Sequence, residues 1–323
     1  MKKIYFLLVS MLFSLLAIAT PSKKIIVAQD GTGNYSKVQD ALDAVPLNNH
    51  SPIEIFIKKG IYKEKLHLDS SKCFVKMIGE DAVTTILSYD DHTGKVLADG
   101  SVINTMNSQS FYIKADDFTA ENITFQNDAG LTAGQAVALK VAGDRASFIN
   151  CRIIGFQDTL FTSDENSRQY YLNCYIEGST DFIFGSSTAL FVNCHLHSKK
   201  NSHVTAASTP REHAYGYVFL NCRLTADTGI TKVSLGRPWR PYASVTYIHC
   251  EIGSHILAQG WDNWKNPENE KTARYAEYKN RGPGAEISGR VPWSQQLTDE
   301  QVKQFTTINI LRNWVPEAEI LHK

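Results

Sequence analysis

The chain has 323 residues, with 33 basic side chains balanced by 33 acidic ones and an aromatic content of 11%. This balance provides no basic surface of the kind that binds nucleic acid or an anionic membrane, which argues against both as partners. No stretch rich in Pro, Ser and Gly divides the chain. A chain of this length can bury a large core, so we expect a single folded domain over residues 20–323.

The first nineteen residues have the organisation of a secretory signal peptide. A basic start at residues 1–3 precedes an apolar run over residues 4–16, and residues 17–19 supply the small side chains of a cleavage site. We expect export to the periplasm or the medium, with a mature chain that begins near Thr20, carries 31 basic and 33 acidic side chains and leaves the membrane. A membrane anchor is the alternative, but the apolar run is short for a spanning helix.

Six short segments share one pattern, with Asn or His at the second position, Cys or Ile at the third and an apolar residue at the fifth. Their second positions lie 28, 23, 20, 28 and 28 residues apart. A constant core with inserts of variable length is typical of a solenoid. The six segments are residues 121–125, 149–153, 172–176, 192–196, 220–224 and 248–252.

The alternation of side chains within each segment indicates a half-buried strand. We therefore predict an all-β fold, a right-handed parallel β-helix in which each repeat forms one coil. A leucine-rich repeat would need a leucine pattern that is missing here. A β-sandwich gives no reason for the Asn-Cys pair to recur.

Five of the six cysteines occupy the same position of the repeat, so Cys151, Cys174, Cys194, Cys222 and Cys250 should point into the coil one above another. Six cysteines in an exported protein would often suggest disulfides. However, side chains at equivalent positions point in the same direction rather than toward each other. We expect packed thiols, with disulfides as the alternative. A metal site is not expected, because the sequence has no Cys-x-x-Cys pair.

A solenoid needs both of its ends covered. At the N-terminal end, Ser36 should cap a short helix whose apolar face comprises Val38, Ala41, Leu42 and Val45. Beyond Trp261 the repeat is lost, and residues 262–295 should form long outer loops. Thr298 begins a capping-box pattern, which predicts a short helix to about residue 306 over the far end.

The segment between the N-terminal helix and the first repeat should contain strands. Residues 53–57 alternate between apolar and other side chains, as a strand does. Residues 60–64 are expected to turn the chain. Two more strands are expected near residues 73–78 and 84–87.

Two aspartates stand among aromatic and aliphatic residues, where burying an unpaired charge is costly. Asp158 and Asp181 are 23 residues apart, the spacing that also separates Asn150 from Asn173. If that spacing is one coil, the aspartates occupy matching places on neighbouring strands about 4.8 Å apart. Carboxyl groups so close perturb each other's pKa, which makes the pair a candidate active site.

Two glutamines and an arginine can complete this site. Gln157 adjoins Asp158, and a five-residue insertion in the intervening loop would bring Gln135 onto the same face. Primary amides can donate hydrogen bonds to a developing oxyanion, and Arg237 can hold one aspartate ionised while the other keeps its proton. Each feature alone is also explained by a turn, a satisfied strand residue or a surface ion pair. Their combination on one face favours a catalytic site.

Five motifs occur in the same order along the chain. They are Gly60-x-Tyr62-x-Glu64, Gln-Ala-Val-Ala-Leu at residues 135–139, Gln-Asp-Thr-Leu at 157–160, Asp-Phe-Ile-Phe-Gly at 181–185 and Leu-Gly-Arg-Pro-Trp at 235–239. This combination resembles the pectin methylesterases, or pectinesterases. The resemblance covers about residues 24–320 and includes Asn-Arg-Gly-Pro-Gly-Ala at residues 280–285. That family has the right-handed parallel β-helix that the repeats predict.

The resemblance implies a monomeric enzyme that demethylates methyl-esterified polygalacturonate through an aspartyl acyl-enzyme, without a metal or other cofactor. Asp181 would be the nucleophile that attacks the C6 methyl ester. Asp158 would protonate the departing methanol and then activate water. The further implied roles are oxyanion stabilisation by Gln135 and Gln157, orientation of Asp181 by Arg237, and sugar binding by Trp239, Phe161 and Phe184.

Two other classes of function remain open at this point. A polysaccharide lyase or glycosidase on the same fold would also place acids in a groove. A lyase usually needs a carboxylate cluster for Ca²⁺, and none is evident, while a glycosidase needs two acids spaced for a glycosidic bond. The second class is a non-catalytic solenoid that binds polysaccharide or protein. The motifs contain no histidine, which argues against a Ser-His-Asp esterase.

Overall fold

Three parallel sheets run side by side along one axis in the computed structural model, which describes residues 23–321. Successive coils add neighbouring strands to each sheet, as where Leu160 lies opposite Ile183 of the next coil. The right-handed parallel β-helix predicted from the repeats is confirmed. The predicted signal peptide, residues 1–19, and the start of the mature chain near Thr20 lie outside the described residues.

The strands are numbered in chain order. Sheet A comprises β1 (Lys23–Val27), β2 (Ile53–Ile57), β5 (Val75–Gly79), β8 (Thr119–Glu121), β11 (Ala146–Ile149), β14 (Arg168–Leu172), β17 (Thr188–Val192), β20 (Tyr217–Leu220), β23 (Ser244–Ile248), β25 (Arg274–Tyr278) and β26 (Gln295–Gln296). Sheet B comprises β3 (Gly60–Lys63), β6 (Thr85–Tyr89), β9 (Thr124–Asn127), β12 (Arg152–Ile154), β15 (Tyr175–Gly178), β18 (His195–Ser198), β21 (Arg223–Ala226) and β24 (Glu251–Ile252). Sheet C comprises β4 (Leu66–Leu68), β7 (Phe111–Ile113), β10 (Leu139–Val141), β13 (Leu160–Thr162), β16 (Ile183–Gly185), β19 (His203–Ala207) and β22 (Ser234–Pro238).

Helices are short. The α-helices are α1 (Val38–Asp43), α2 (Asp299–Val302), α3 (Thr307–Ile310) and α4 (Glu317–Leu321). Single 3-10 turns occur at Thr105–Asn107, Pro267–Lys271 and Pro283–Ala285. Between residues 23 and 321, no helix has the length and apolar character needed to cross a bilayer.

The asparagine or histidine at the second position of each repeat forms the corner between sheets A and B. Asn150 separates β11 from β12 and has a backbone φ of 53°. Asn tolerates this left-handed conformation better than most residues. The repeated segments are therefore corners that join two strands, and the prediction of one strand per segment was wrong. The other corner residues, with φ of 53–55°, are Asn122, Asn173, Asn193, Asn221 and His249.

The cysteine after each corner points into the coil, as predicted. The five repeat thiols are buried, and all six cysteines within residues 23–321 are free. The thiol of Cys174 donates to the backbone carbonyl of Phe148 at 3.4 Å, and the other four make equivalent contacts. Burial raises the pKa of Cys151 to about 12. The five thiols of the ladder therefore pack as small apolar groups inside the coil.

A column of aromatic rings fills the coil next to sheet A. Phe148, Tyr171, Phe191, Phe219 and Tyr247 occupy the same position of successive strands. Neighbouring ring centroids lie 4.5–4.9 Å apart, with planes inclined by only 8–16°. A one-residue slip of any strand would move its ring out of the column. The column therefore helps to specify the register of the coils.

Helix α1 covers the N-terminal end, and the four apolar residues predicted for its inner face are buried. Its predicted cap was wrong. The N-cap is Lys37 rather than Ser36, and its side chain makes no capping hydrogen bond. Instead, the carboxylate of Glu64 accepts hydrogen bonds from the N–H groups of Val38 at 2.9 Å and Gln39 at 3.1 Å. A distant residue thus replaces the local cap, because it satisfies the same free N–H groups.

The strands before the first repeat were largely predicted correctly. Residues 53–57 form β2, and the strands expected near residues 73–78 and 84–87 are β5 and β6 with slightly shifted bounds. Residues 60–64 were expected to turn the chain, but most of them form β3, which pairs with β6. The side chain of Tyr62 is buried in this strand, and its hydroxyl donates to the carbonyl of Lys58.

The C-terminal part continues the coil further than predicted. Residues 262–295 were expected to be loops, yet they contain β25, which pairs with β23 over five residues. The capping box at Thr298 is confirmed, but α2 ends at Val302 and α3 follows as a separate helix. Ile310 of α3 packs on the outer side of sheet A. The C-terminal helices therefore cover the side of the coil rather than its end.

Aromatic residues and a buried ion pair close the C-terminal end. The rings of Trp261 and Tyr275 stack at 4.3 Å, and Trp293 packs against Tyr275. Arg290 pairs with Glu277 at 2.7 Å, with both side chains at most 4% exposed. Because a lone buried charge is strongly destabilising, this pair should fix the last segment in one position.

Replacing Asn173 by alanine should destabilise the coil by about 1 kcal/mol. Alanine has a Cβ but lacks the short polar side chain that lets asparagine adopt the left-handed corner conformation. The change also removes the hydrogen bond from Asn173 to Asn150 across the corner ladder. Glycine at this position should be closer to the wild type. Urea unfolding measures the difference, with the exposed strand substitution Arg223→Ala as the control. Equal losses for alanine and glycine would contradict the backbone explanation.

Candidate active site

The two aspartates lie one coil apart, each two residues before a strand of sheet C, Asp158 before β13 and Asp181 before β16. Asp158 donates its backbone N–H to the carbonyl of Thr180, and Asp181 donates to that of His203. Both aspartates have positive φ, 62° and 49°, which is the corner conformation that Asp adopts more readily than most residues. The predicted placement on neighbouring strands is confirmed by the pairing of β13 with β16.

Arg237 holds Asp181 in a two-pronged ion pair. Its Nε donates to Oδ1 at 2.9 Å and its Nη2 donates to Oδ2 at 2.6 Å. Arg237 lies on β22, two strands beyond Asp181, and the small side chain of Ala206 separates it from Phe184 in the same outward row. The carboxylate of Asp181 is therefore fixed in orientation and paired with a positive charge.

Asp158 has the opposite environment. Its side chain makes no hydrogen bond to the protein within residues 23–321, and the residue is 8% exposed. Burial, followed by the negative charge of Asp181, raises the pKa of Asp158 to about 8, although Arg237 partly opposes the shift. One carboxyl is thus ion-paired while its neighbour keeps a proton near neutral pH.

The two glutamines meet at the edge of the acid pair. Gln135 and Gln157 lie opposite each other in an isolated parallel bridge. Gln135 therefore aligns with Gln157, one position before Asp158, on the face that the insertion argument predicted. Neither side-chain amide has a hydrogen-bond partner in the described part of the chain. Both amides remain available to an oxygen atom bound beside the aspartates.

A cavity of about 290 Å³ lies over these groups. It is lined by seven of the eight predicted site residues, namely Gln135, Gln157, Asp158, Asp181, Phe184, Arg237 and Trp239. The eighth, Phe161, stacks on Phe184 at 4.3 Å rather than lining the cavity. Trp239 packs at an angle against both rings. The three rings form a packed aromatic cluster beside the acid pair, and Phe184 and Trp239 are its members that line the cavity.

A larger hollow of about 450 Å³ on the outer side of sheet A offers no comparable chemistry. Four of its five charged side chains are paired with each other, since Arg145 pairs with Asp117 at 2.6 Å and Lys76 with Glu121 at 2.7 Å. The cavity over Asp158 combines a raised pKa with free amide donors, and it is therefore the candidate active site.

Sequence reasoning missed several residues at this cavity. Trp264 lies flat on Arg237, with the guanidinium carbon 3.7 Å from the ring centroid. Thr105 and Met106 form another wall, and Lys140 donates to the carbonyl of Met106 at 2.8 Å. Trp264, Thr105 and Met106 lie in inserts outside the repeat, where the spacing gives no signal.

His203 could have been found from the coil spacing. It lies one strand beyond Asp181, because Ile183 pairs with Thr205 two positions further along both strands. Its Nδ1 is 2.7 Å from the hydroxyl of Ser234. Burial and the charge of Arg237 lower the pKa of His203, which favours the neutral imidazole.

Comparison with known proteins points to one family. The Pectinesterase family model matches residues 24–313. Pectinesterase 31 of Arabidopsis thaliana is 41% identical over 289 residues, which cover 88% of this chain and 90% of that protein. The structure is similar to that of a pectin methylesterase from carrot, with a TM-score of 0.83 and 32% identity over 91% of this chain and 94% of the other. A pectin methylesterase solved in complex with a hexasaccharide is 30% identical, with a TM-score of 0.81 over 92% and 99% of the two chains.

These matches span nearly all of the described residues, including every motif of the candidate site. They agree with the fold and the enzyme class predicted from the motifs, and they do not favour a lyase or glycosidase. The chain belongs to the pectinesterase family of carboxylic ester hydrolases.

Proposed function

We propose that this pectinesterase hydrolyses the C6 methyl esters of galacturonate residues in pectin through an acyl-enzyme formed on Asp181. The observation that carries the proposal is the unequal pair of acids. Asp181 is ion-paired with Arg237, whereas Asp158 is buried, has no side-chain hydrogen bond to any described residue and has a raised pKa. One acid is thus prepared as a nucleophile and the other as a proton donor.

In the first step, a carboxylate oxygen of Asp181 attacks the ester carbonyl carbon. The carbonyl oxygen becomes an oxyanion, to which the free amides of Gln135 and Gln157 donate hydrogen bonds. When the bond to the methoxy oxygen breaks, Asp158 transfers its proton to that oxygen and methanol leaves. The product is an anhydride between Asp181 and the sugar C6.

In the second step, the now ionised Asp158 takes a proton from a water molecule as the water attacks the C6 carbonyl carbon. The bond between C6 and the Asp181 oxygen breaks, which restores the carboxylate of Asp181 and the proton of Asp158. The net reaction converts one methyl ester and one water into one galacturonate carboxyl group and one methanol. Arg237 keeps Asp181 in position before and after the anhydride forms.

The aromatic cluster beside the acids suits a polysaccharide. Trp239, which is half-buried, and Phe184 line the cavity and can contact the apolar face of a sugar ring, while Phe161 stacks on Phe184 and supports it. A similar pectin methylesterase was solved with a hexasaccharide, which supports an oligomeric substrate for this chain. The monomer implied by the family resemblance would suit this mechanism, since the residues invoked in both steps belong to this chain.

Residues 1–19 would direct the enzyme out of the cytoplasm, so that it can reach pectin outside the cell. Their basic start, apolar run and small cleavage-site residues support this role. The N-terminal sequence of the exported protein tests it, since cleavage should leave a chain that begins near Thr20. An exported protein that retains Met1 would contradict the proposal.

Replacing Asp181 by alanine should lower methanol release from methylated pectin by at least about a thousandfold, because the nucleophile is lost. The wild type should release methanol without shortening the polymer or creating unsaturated ends. Methanol is measured enzymatically and chain length by gel filtration, with Asp227→Asn, an exposed aspartate, as the control. Near-wild-type turnover by the alanine variant would contradict the assignment of Asp181 as the nucleophile. Depolymerisation of pectin by the wild type would indicate a lyase or glycosidase.

The value of kcat/KM should fall as pH rises through about 8. Above that pH, Asp158 of the free enzyme loses the proton that the departing methanol needs. Asp158→Asn should slow hydrolysis of methyl esters more than that of esters of acidic alcohols, which leave without protonation. Equal losses for the two kinds of ester would contradict the acid role.

Asp158→Asn should also change stability with a definite sign. The folded protein holds a proton that the unfolded chain releases above its ordinary pKa of 3.8, so wild-type stability should decline as pH rises from about 4 to 8. The asparagine variant lacks this decline and should be more stable than the wild type at pH 8, with a smaller difference near pH 4. Thermal unfolding at both pH values measures it.

A further inference from the structure

Trp264 occupies a position that the proposed reaction does not use. Arg237 presents the edge of its guanidinium to Asp181, with two hydrogen bonds, and a flat face to Trp264. The guanidinium carbon lies 3.7 Å from the centroid of the indole ring, which is close to van der Waals contact. The indole therefore covers one side of the ion pair that holds the nucleophile.

The segment around Trp264 is held firmly enough to serve as a support. Asp262 donates its N–H to the carbonyl of Gly236, beside Arg237, and its carboxylate accepts the N–H of Trp264 at 2.7 Å. Asn263 bonds to Glu270 at 2.7 Å. Trp264 itself has a φ of 61°, so these contacts maintain a backbone conformation that an aromatic residue rarely adopts.

We propose that Trp264 is a positioning residue that acts through Arg237, an inference that rests on the proposed role of Asp181. The indole face attracts the cation and keeps its plane aligned with the carboxylate. It also excludes water from one side of the ion pair, where screening would weaken the hold on Asp181. Substrate meets Asp181 in a fixed orientation because Trp264 prevents the guanidinium from tilting.

A direct role in sugar binding is the competing explanation, since Trp264 also lines the cavity. The two roles affect different constants. A residue that positions the nucleophile changes kcat, whereas a sugar-stacking residue changes KM and the affinity for product. The ring face that contacts Arg237 is already occupied, which favours the positioning role.

The first test compares Trp264→Leu with Trp264→Phe. Leucine keeps an apolar side chain but has no ring face, so kcat should fall about 10- to 30-fold while KM stays within about threefold. Phenylalanine restores a ring and should recover most of the lost rate. A leucine variant whose KM rises tenfold at unchanged kcat overturns the proposal.

The second test asks whether the effect passes through Arg237. In an Arg237→Lys background, where the compact ammonium cannot make the two-pronged pair, Trp264→Leu should cost at most about threefold. Arg240→Gln provides a matched control, because Arg240 stacks on Trp239 at 4.9 Å but pairs with no carboxylate in the described part of the chain. In the double variant, the fold-change in kcat caused by Arg240→Gln should multiply with the fold-change caused by Trp264→Leu. Equal losses from Trp264→Leu in the wild-type and Arg237→Lys backgrounds overturn the proposal.

The third measurement does not depend on catalysis. Unesterified oligogalacturonate should bind to the Trp264→Leu variant within about twofold of its wild-type affinity in calorimetry, and a tenfold loss would show that the indole binds sugar. The outcome for Asp181→Ala separates the two proposals. If that variant is inactive while the Trp264 tests fail, only the role of Trp264 is lost. If it remains active, the acyl-enzyme on Asp181 is lost instead.

Discussion

The structure depends on the register with which each coil stacks on the one before it. Parallel hydrogen bonding alone would allow a strand to slip, but a slip would break the column of rings that passes through Phe148 and Tyr171 and would move the corner asparagines out of line. With the register fixed, residues one coil apart become neighbours in space. The 23-residue separation of Asp158 and Asp181 along the chain thereby becomes one strand spacing, and Arg237 comes within reach of Asp181 across the small Ala206.

The same register creates the electrostatic problem that the site uses. Two carboxyl groups on neighbouring strands in a buried position cannot both be ionised without a large cost. Arg237 neutralises Asp181 through two hydrogen bonds, and the remaining cost falls on Asp158, which has no hydrogen-bond partner for its carboxyl group between residues 23 and 321 and keeps its proton. The difference between the two acids thus arises from a single asymmetry, the strand from which the arginine projects. An acid that retains its proton lowers the stability of the folded chain as pH rises, so the site is maintained at the expense of stability.

The parts of the fold that repeat could be predicted from the sequence more completely than the parts that occur once. The Asn-Cys spacing predicted the coil, the inward thiols and the proximity of Asp158 to Asp181, because each coil imposes the same environment on equivalent positions. The cap of α1 was missed, since Glu64 reaches it from 26 residues away and no local pattern encodes that contact. Trp264 was missed for the same reason, because it belongs to an insert after the last repeat. Strand β25 was missed because its segment lacks the Asn-Cys corner that marked the earlier coils.

The acid pair itself follows from the corner conformation. The coil turns at residues with φ near 50–60°, which few residues other than Gly tolerate, and Asn, Asp and His are among them. At the corners between sheets A and B this requirement is met by asparagine or histidine, as at Asn150 and His249. At the entry to sheet C it is met by Asp158 and Asp181, so the residue type that suits the backbone also supplies the carboxyl groups. A chain built on such corners can acquire two adjacent acids without adding backbone strain to the coil, and the inserted loops then need only to cover them.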